Sequence, residues 1–291
     1  MFTFADTPVK FLGLLLLFAW CTAWCGYELT RPQSGRQRVS NVLHLAMAVV
    51  MLLMVARPTW TMLVSVVPDA WLAIGFGLAG VWFIALSVQA FAGGERAAGW
   101  YSLGHAAMFG AMTWHLAAMA VMSAAMAGMG GHGEMGGGMG GGMAGPMDMG
   151  AWMAEQSRPG GTVWIIALIG LPFMTYLLVS SLHSAWLVTR PAAATHNCPC
   201  GPGCTCGTEC ACSATHRVAG QRTLVGPDGS AIAVADQPVA GMALTCHEVR
   251  PQGSTRYRLA HTADFAMNFG MFWMSTGLLV PLLPFFAALA F

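Results

Sequence analysis

Three apolar segments repeat one spacing of soft metal ligands: His44, Met47, Met51 and Met54; His105, Met108, Met112 and His115; Asp264, Met267, Met271 and Met274. Each set steps by three, four and three residues. On a helix turning about 100° per residue, the four side chains fall within roughly 80° of one another. Each segment therefore presents one ligand stripe along a helix face. Thioether and imidazole donors suit copper, so three such stripes point to a membrane protein that handles Cu(I) between its helices.

Two further segments carry metal-binding chemistry of different kinds. Residues 127–161 are rich in Met and Gly, with Met129, His132, Glu134, Met135, Met139, Met143, Met147, Asp148, Met149 and Met153. So much Gly opposes a fixed fold, and an unstructured excursion is expected. Thioethers on a flexible chain wrap a soft cation weakly, need no deprotonation and stay usable in an oxidising space. The alternative is a low-complexity linker without chemistry.

The second segment holds Cys198, Cys200, Cys204, Cys206, Cys210 and Cys212, a CxCxxxCxCxxxCxC pattern with Gly and Pro between the pairs. Neighbouring cysteines of a CxC pair do not easily bridge each other, and the spacers let the sulfurs fold inward. From Asn197 to Ser213 the residues resemble metallothioneins. That resemblance implies a thiolate cluster for several d10 ions, Cu(I) or Zn(II), with His196 and His216 as extra ligands. A disulfide-stapled extracellular loop is the alternative, and it conflicts with the topology derived below.

The elements that must position these groups follow from hydropathy. The 291 residues are 56% hydrophobic and 9% charged, which places the chain among membrane proteins. A net charge of +1 gives no sign of a nucleic-acid partner, so metal ion and membrane lipid are the expected partners. Six runs approach the ~20 residues needed to cross about 30 Å of hydrocarbon. They are Phe11 to Tyr27, Ser40 to Ala56, Trp71 to Phe91, Ser102 to Met126, Val163 to Val188 and Phe265 to Ala290. The expected fold is an all-α polytopic bundle of about six transmembrane helices. Its segments are four helices in 1–126, the Met/Gly-rich outer loop 127–161, a fifth helix in 162–190, a Cys-rich cytoplasmic loop 191–262 and a sixth helix in 263–291.

Met62 to Val67 is too short to span and reads as an interfacial piece. The first helix reads as retained, because Met1 to Val9 contains Asp6 and neither Lys nor Arg. Arg31, Arg36, Arg38, Arg96, Arg190, Arg217, Arg222, Arg250, Arg256 and Arg258 fall on one side, against Lys10, Arg57 and Arg158 on the other. The positive-inside rule then sets a multi-pass protein of a bacterial cytoplasmic membrane with both termini outside and the Cys-rich loop in the cytoplasm. Alternating apolar residues between Arg217 and Leu259, with a Pro-Asp-Gly turn at Pro227 to Gly229, suggest a small hairpin. Cys246 and His247 within it are a weak signal.

Ordinary helix packing also produces a three-four-three rhythm of Met. Two features favour ligand stripes. Each begins with a polar group, His44, His105 or Asp264, at a depth where such groups are costly. The second, fourth and sixth helices also run in one direction, so the polar heads gather near the inner end and the thioethers climb outward for about 15 Å. Met119, Met122 and Met126 prolong the fourth helix's stripe toward the Met-rich loop. Asn41, Asn268 and His261 lie near the stripes, and Phe109, Trp114, Phe272 and Trp273 read as packing or lipid-facing groups. Cys21 and Cys25, one turn apart, could bind a metal together but read more simply as packed residues, whereas His183 among Ser180, Ser181 and Ser184 fits two readings equally, a group lining the same polar layer as the stripe heads or a hydrogen-bonded His.

A Met ladder fed by an outer Met-rich segment and leading to inner thiols resembles the eukaryotic high-affinity copper transporter family, whose three-helix subunits trimerise around Met pairs. The resemblance implies one chain supplying three ladders through three helix hairpins. The six helices, the metallothionein-like insert and the His or Asp heads depart from that family's pattern. The chain also resembles actinobacterial membrane proteins with HxxM helices, which implies no function. The expected function is to acquire, transport or sequester Cu(I). A haem b electron carrier using His44, His105, His115 or His183 is one alternative, and a non-transporting metal buffer or oxidase-assembly protein is another. No P-loop or catalytic constellation is recognisable, so no enzyme is expected. Direction of metal movement and oligomeric state are left open by the sequence.

Overall fold

The computed structural model describes residues 7–130, 154–190, 221–225, 231–235 and 254–289. Its elements are α1 (Pro8–Leu29), α2 (Gly35–Val55), α3 (Arg57–Val66), α4 (Asp69–Ala92), α5 (Arg96–Gly130), α6 (Thr162–Thr189), β1 (Gln221–Val225), β2 (Ala231–Ala235) and α7 (Thr255–Ser275). Two 3-10 turns, Thr276–Leu279 and Pro284–Leu289, follow α7. Among the described residues α1, α2, α4, α5 and α6 are long and apolar enough to cross a membrane.

Local chemistry sets the helix starts. Pro8 opens α1, where its missing N–H costs nothing. Ser34 caps α2 in a reciprocal box: its Oγ accepts from the Gln37 amide at 3.3 Å, and Gln37 Oε1 accepts from the Ser34 amide at 3.2 Å. Ser254 Oγ accepts from the Tyr257 amide at 3.1 Å and begins α7. Between α4 and α5 the chain reverses at Gly94, whose φ of +79° suits a residue without Cβ.

The long helices pair as α1 with α2, α4 with α5 and α6 with α7, while α1 and α5 also touch α7. One core cluster runs through all of them. α3 is a ten-residue helix about 15 Å long, too short to span. It buries Trp60 and exposes Met62 and Val66, so Met62 to Val67 belongs, as expected, to a piece too short to span. β1 and β2 pair antiparallel with Val225 opposite Ala231, and the turn expected at Pro227 to Gly229 lies outside the described residues.

The last helix departs from expectation. The run Phe265 to Ala290 is not one helix: α7 starts ten residues earlier and stops at Ser275. Pro281 and Pro284 lack the amide hydrogens a helix would need, and the chain continues as 3-10 turns. At its other end the Ser254 cap draws Arg256, Arg258, His261 and Asp264 into the helix, so the proposed boundary at 263 falls inside α7. Those groups also keep α7 out of the apolar, membrane-length set.

Candidate metal site at the head of the methionine stripes

The stripes turn inward. Met47, Met51 and Met54 on α2, Met108 and Met112 on α5, and Met267, Met271 and Met274 on α7 are all buried in the same core cluster. Leu16, Leu78, Val81, Ile169, Val179 and Leu182 are instead exposed on α1, α4 and α6. Phe109, Trp114 and Phe272 are buried and belong to the packing.

At one end of the stripes two heads meet. His44 Nδ1 donates to the Ser40 carbonyl at 2.6 Å, and His44 Nε2 stands 2.9 Å from His105 Nδ1. The two rings are nearly perpendicular, with centroids 4.6 Å apart. Phe83 and Phe109 wall the His44 ring, and Tyr101 packs edge-on against His105. A backbone approach makes room for the wall behind: a Cβ on Gly104 would stand 2.6 Å from Tyr176 Oη.

Asp264, the third head, borders the same space. A cavity of about 410 Å³ is lined by His44, His105, Met108, Asp264, Met267 and Asn268 among others, with His183 and His261 also on its wall. Asp264 Oδ2 lies 3.4 Å from His261 Nδ1. Asn268 Nδ2 donates to the Asp264 carbonyl at 2.8 Å, while Asn268 Oδ1 is buried and accepts no hydrogen bond among the described residues. A smaller void of about 40 Å³, touching Cys25, Glu28, His44 and Asp264, lies between α1, α2 and α7.

His115 is not part of this group. Its Nδ1 lies 2.8 Å from Ser275 Oγ near the far end of α7, where Lys10 Nζ also donates to Thr276 Oγ1 at 3.1 Å. An ammonium suits that position, because helix C-terminal carbonyls carry partial negative charge. Cys21 and Cys25 are buried free thiols, and the Cys21 S–H donates to the Ala263 carbonyl at 3.5 Å. Among the described residues no three His, Cys, Asp or Glu side chains are grouped to hold a metal ion. The donor set at the heads is thus an imidazole pair with thioethers beside it.

Residues 131–153 of the Met-rich loop and Cys198, Cys200, Cys204, Cys206, Cys210 and Cys212 lie outside the described residues, as do Cys246 and His247. His183 lines the cavity, in keeping with the reading that places it in the polar layer of the stripe heads, while Tyr101, Tyr176 and Tyr257 line it without any signal in the ligand spacing. His261 could have been placed by its three-residue offset from Asp264, the stripe's own period. The ion pair that ties α1 to α7, Glu28 with Arg256 at 3.2 Å, had no local signal.

No curated protein and no solved structure matches the chain. The family described as a domain of unknown function, DUF5134, matches residues 36–276, from the first turn of α2 through the whole of α7. That match takes in every helix that contributes to the cavity, and with most of its length covered the chain belongs to the DUF5134 family.

Proposed function

We propose that this is a Cu(I)-handling membrane protein whose α2, α5 and α7 hold the ion through thioethers and imidazoles. The observation that carries the reading is the burial of eight stripe methionines from three helices in one core cluster, capped at one end by the His44–His105 contact. Thioethers on lipid-facing surfaces would have served no ion. In this reading α7 is a sixth crossing, both termini are outside, and the thiolates of 198–212 receive Cu(I) in the cytoplasm. Affinity rising from thioether through imidazole to thiolate makes the movement downhill without ATP. A haem bound by His44 and His105 would have to separate rings that stand at hydrogen-bond distance, which favours copper over the electron-carrier alternative.

The test is copper content, measured anaerobically on full-length protein with the six cysteines 198, 200, 204, 206, 210 and 212 replaced by Ser so that only the remaining donors are counted. Replacing Met51, Met112 and Met271 together by Leu keeps volume and removes sulfur. Copper per chain, and cellular uptake by the same triple variant with its cysteines intact, are expected to fall about twofold or more. Unchanged values would remove the ladder from the function, and a Soret band in the purified protein would replace copper with haem.

A further inference from the structure

The hydrogen bonds at the heads dictate which nitrogen is offered to an ion. A carbonyl only accepts, so the bond to Ser40 puts the proton of His44 on Nδ1. In a neutral ring the lone pair then sits on Nε2, which accepts from His105 Nδ1–H at 2.9 Å. Neutral His105 is thereby fixed with its own lone pair on Nε2. His44 spends its Nε2 lone pair accepting from its neighbour, and the Nε2 of His105, which makes no hydrogen bond among the described residues, belongs to a ring that lines the 410 Å³ cavity.

Two thioethers share that wall. Met108 follows His105 by three residues on α5, and Met267 stands on α7, with both side chains lining the cavity. Asn268, only 6% exposed, lines it too, and its Oδ1 accepts no hydrogen bond among the described residues. A buried acceptor left without a donor is costly, and a cation or a water accompanying one meets that need. One nitrogen and two sulfurs suit a soft d10 ion, whereas a hard divalent ion would call for more oxygen.

We infer that the inner end of the ladders is a discrete Cu(I) site formed by His105 Nε2 and the thioethers of Met108 and Met267, with His44 as the positioning residue that fixes the His105 tautomer. This rests on the copper reading above and adds the ligands. It also accounts for the lack of a His, Cys, Asp and Glu triplet among the described residues, because two of the three donors are methionines.

The experiment uses the full-length chain with the six clustered cysteines replaced by Ser, loaded with Cu(I) and read by competition with a chromophoric Cu(I) chelator and by copper X-ray absorption. His105→Ala is expected to weaken the tightest site by about 100-fold or more and to remove imidazole scattering, while His44→Ala weakens it by about 10- to 100-fold, the range for groups that orient a ligand. His44→Gln keeps a side-chain carbonyl that accepts from His105 Nδ1–H, and it is expected to recover affinity to within a few-fold of the parent. Met108→Leu with Met267→Leu, which preserves packing, is expected to remove the sulfur scattering of that site and guards against a folding artefact. Parent-like affinity in His105→Ala, or His44→Gln no better than His44→Ala, overturns the assignment. If those variants bind normally while the Met51, Met112 and Met271 triple variant loses copper, the site is wrong and the ladder stands. A parent that binds no Cu(I) overturns both.

Discussion

Replacing Arg256 by Met is expected to cost about 3 kcal/mol of stability, near the low end for a broken buried ion pair because Arg256 keeps partial contact with solvent. Arg256 Nη2 donates to both Glu28 oxygens, at 3.2 and 3.3 Å, and its Nε reaches Oε1 at 3.4 Å. Glu28 is only 6% exposed at the end of α1, so its carboxylate has little contact with water. Removing the guanidinium leaves a buried carboxylate without this partner. The cost therefore lies in the residual charge more than in the lost bond. Glu28→Leu combined with Arg256→Met is expected to recover most of the loss, since no charge remains. Denaturant or thermal unfolding in detergent reads both. A double variant as unstable as the single would show that the pair contributes through attraction instead.

Gly170→Ala is the second large effect. A Cβ at Gly170 would fall inside the indole ring of Trp114. That ring is 8% exposed and is held by its Nε1–H donating to the Ile166 carbonyl at 2.9 Å, one turn earlier on α6. The backbone of α6 thus passes directly over α5, and the ring has no slack. Overpacking costs about 1–3 kcal/mol and a lost hydrogen bond about 1 more, so a fall of roughly 2–4 kcal/mol is expected. Trp114→Leu in the Gly170→Ala background is expected to restore part of it by opening space. If the double variant is less stable than Gly170→Ala, the clash is not the cause.

Periodicity was the readable part of this chain. Burial of one face every third or fourth residue is a local property, so the stripes on α2 and α5, the short α3 and the β1–β2 hairpin stand where their residues suggested. Depth was readable as well: His44, His105 and Asp264 occupy equivalent places in their stripes, and all three line one cavity. His115 has the same residue type and spacing, yet it pairs with Ser275 because the far end of α5 meets the end of α7. Nothing in the spacing distinguishes these two outcomes. Contacts across more than two hundred residues, such as Lys10 with Thr276 or Glu28 with Arg256, depend on which helices pair, and α1 beside α7 is a choice made by tertiary packing. The end of α7 was legible by another signal: hydropathy carries the run to Ala290, whereas Pro281 and Pro284 in the same stretch deny it a helical backbone.

The polarity of α7 bears on how the protein is made. If α7 crosses the membrane as proposed, Asp264 near its middle opposes insertion by about 3 kcal/mol, and Arg256 adds to that at its start. Alone in lipid this segment is a poor candidate for release from the translocon. As the proposed sixth crossing it would be accepted through Glu28, which pairs with Arg256, and through the faces of α1 and α6 that it packs against, all of which are synthesised first. Biogenesis is then expected to be ordered, with the final helix recruited by its completed predecessors. With the outside C-terminus proposed above, a glycosylation reporter placed after α7 should translocate in the whole chain and fail to do so when α7 is produced behind an unrelated set of membrane helices.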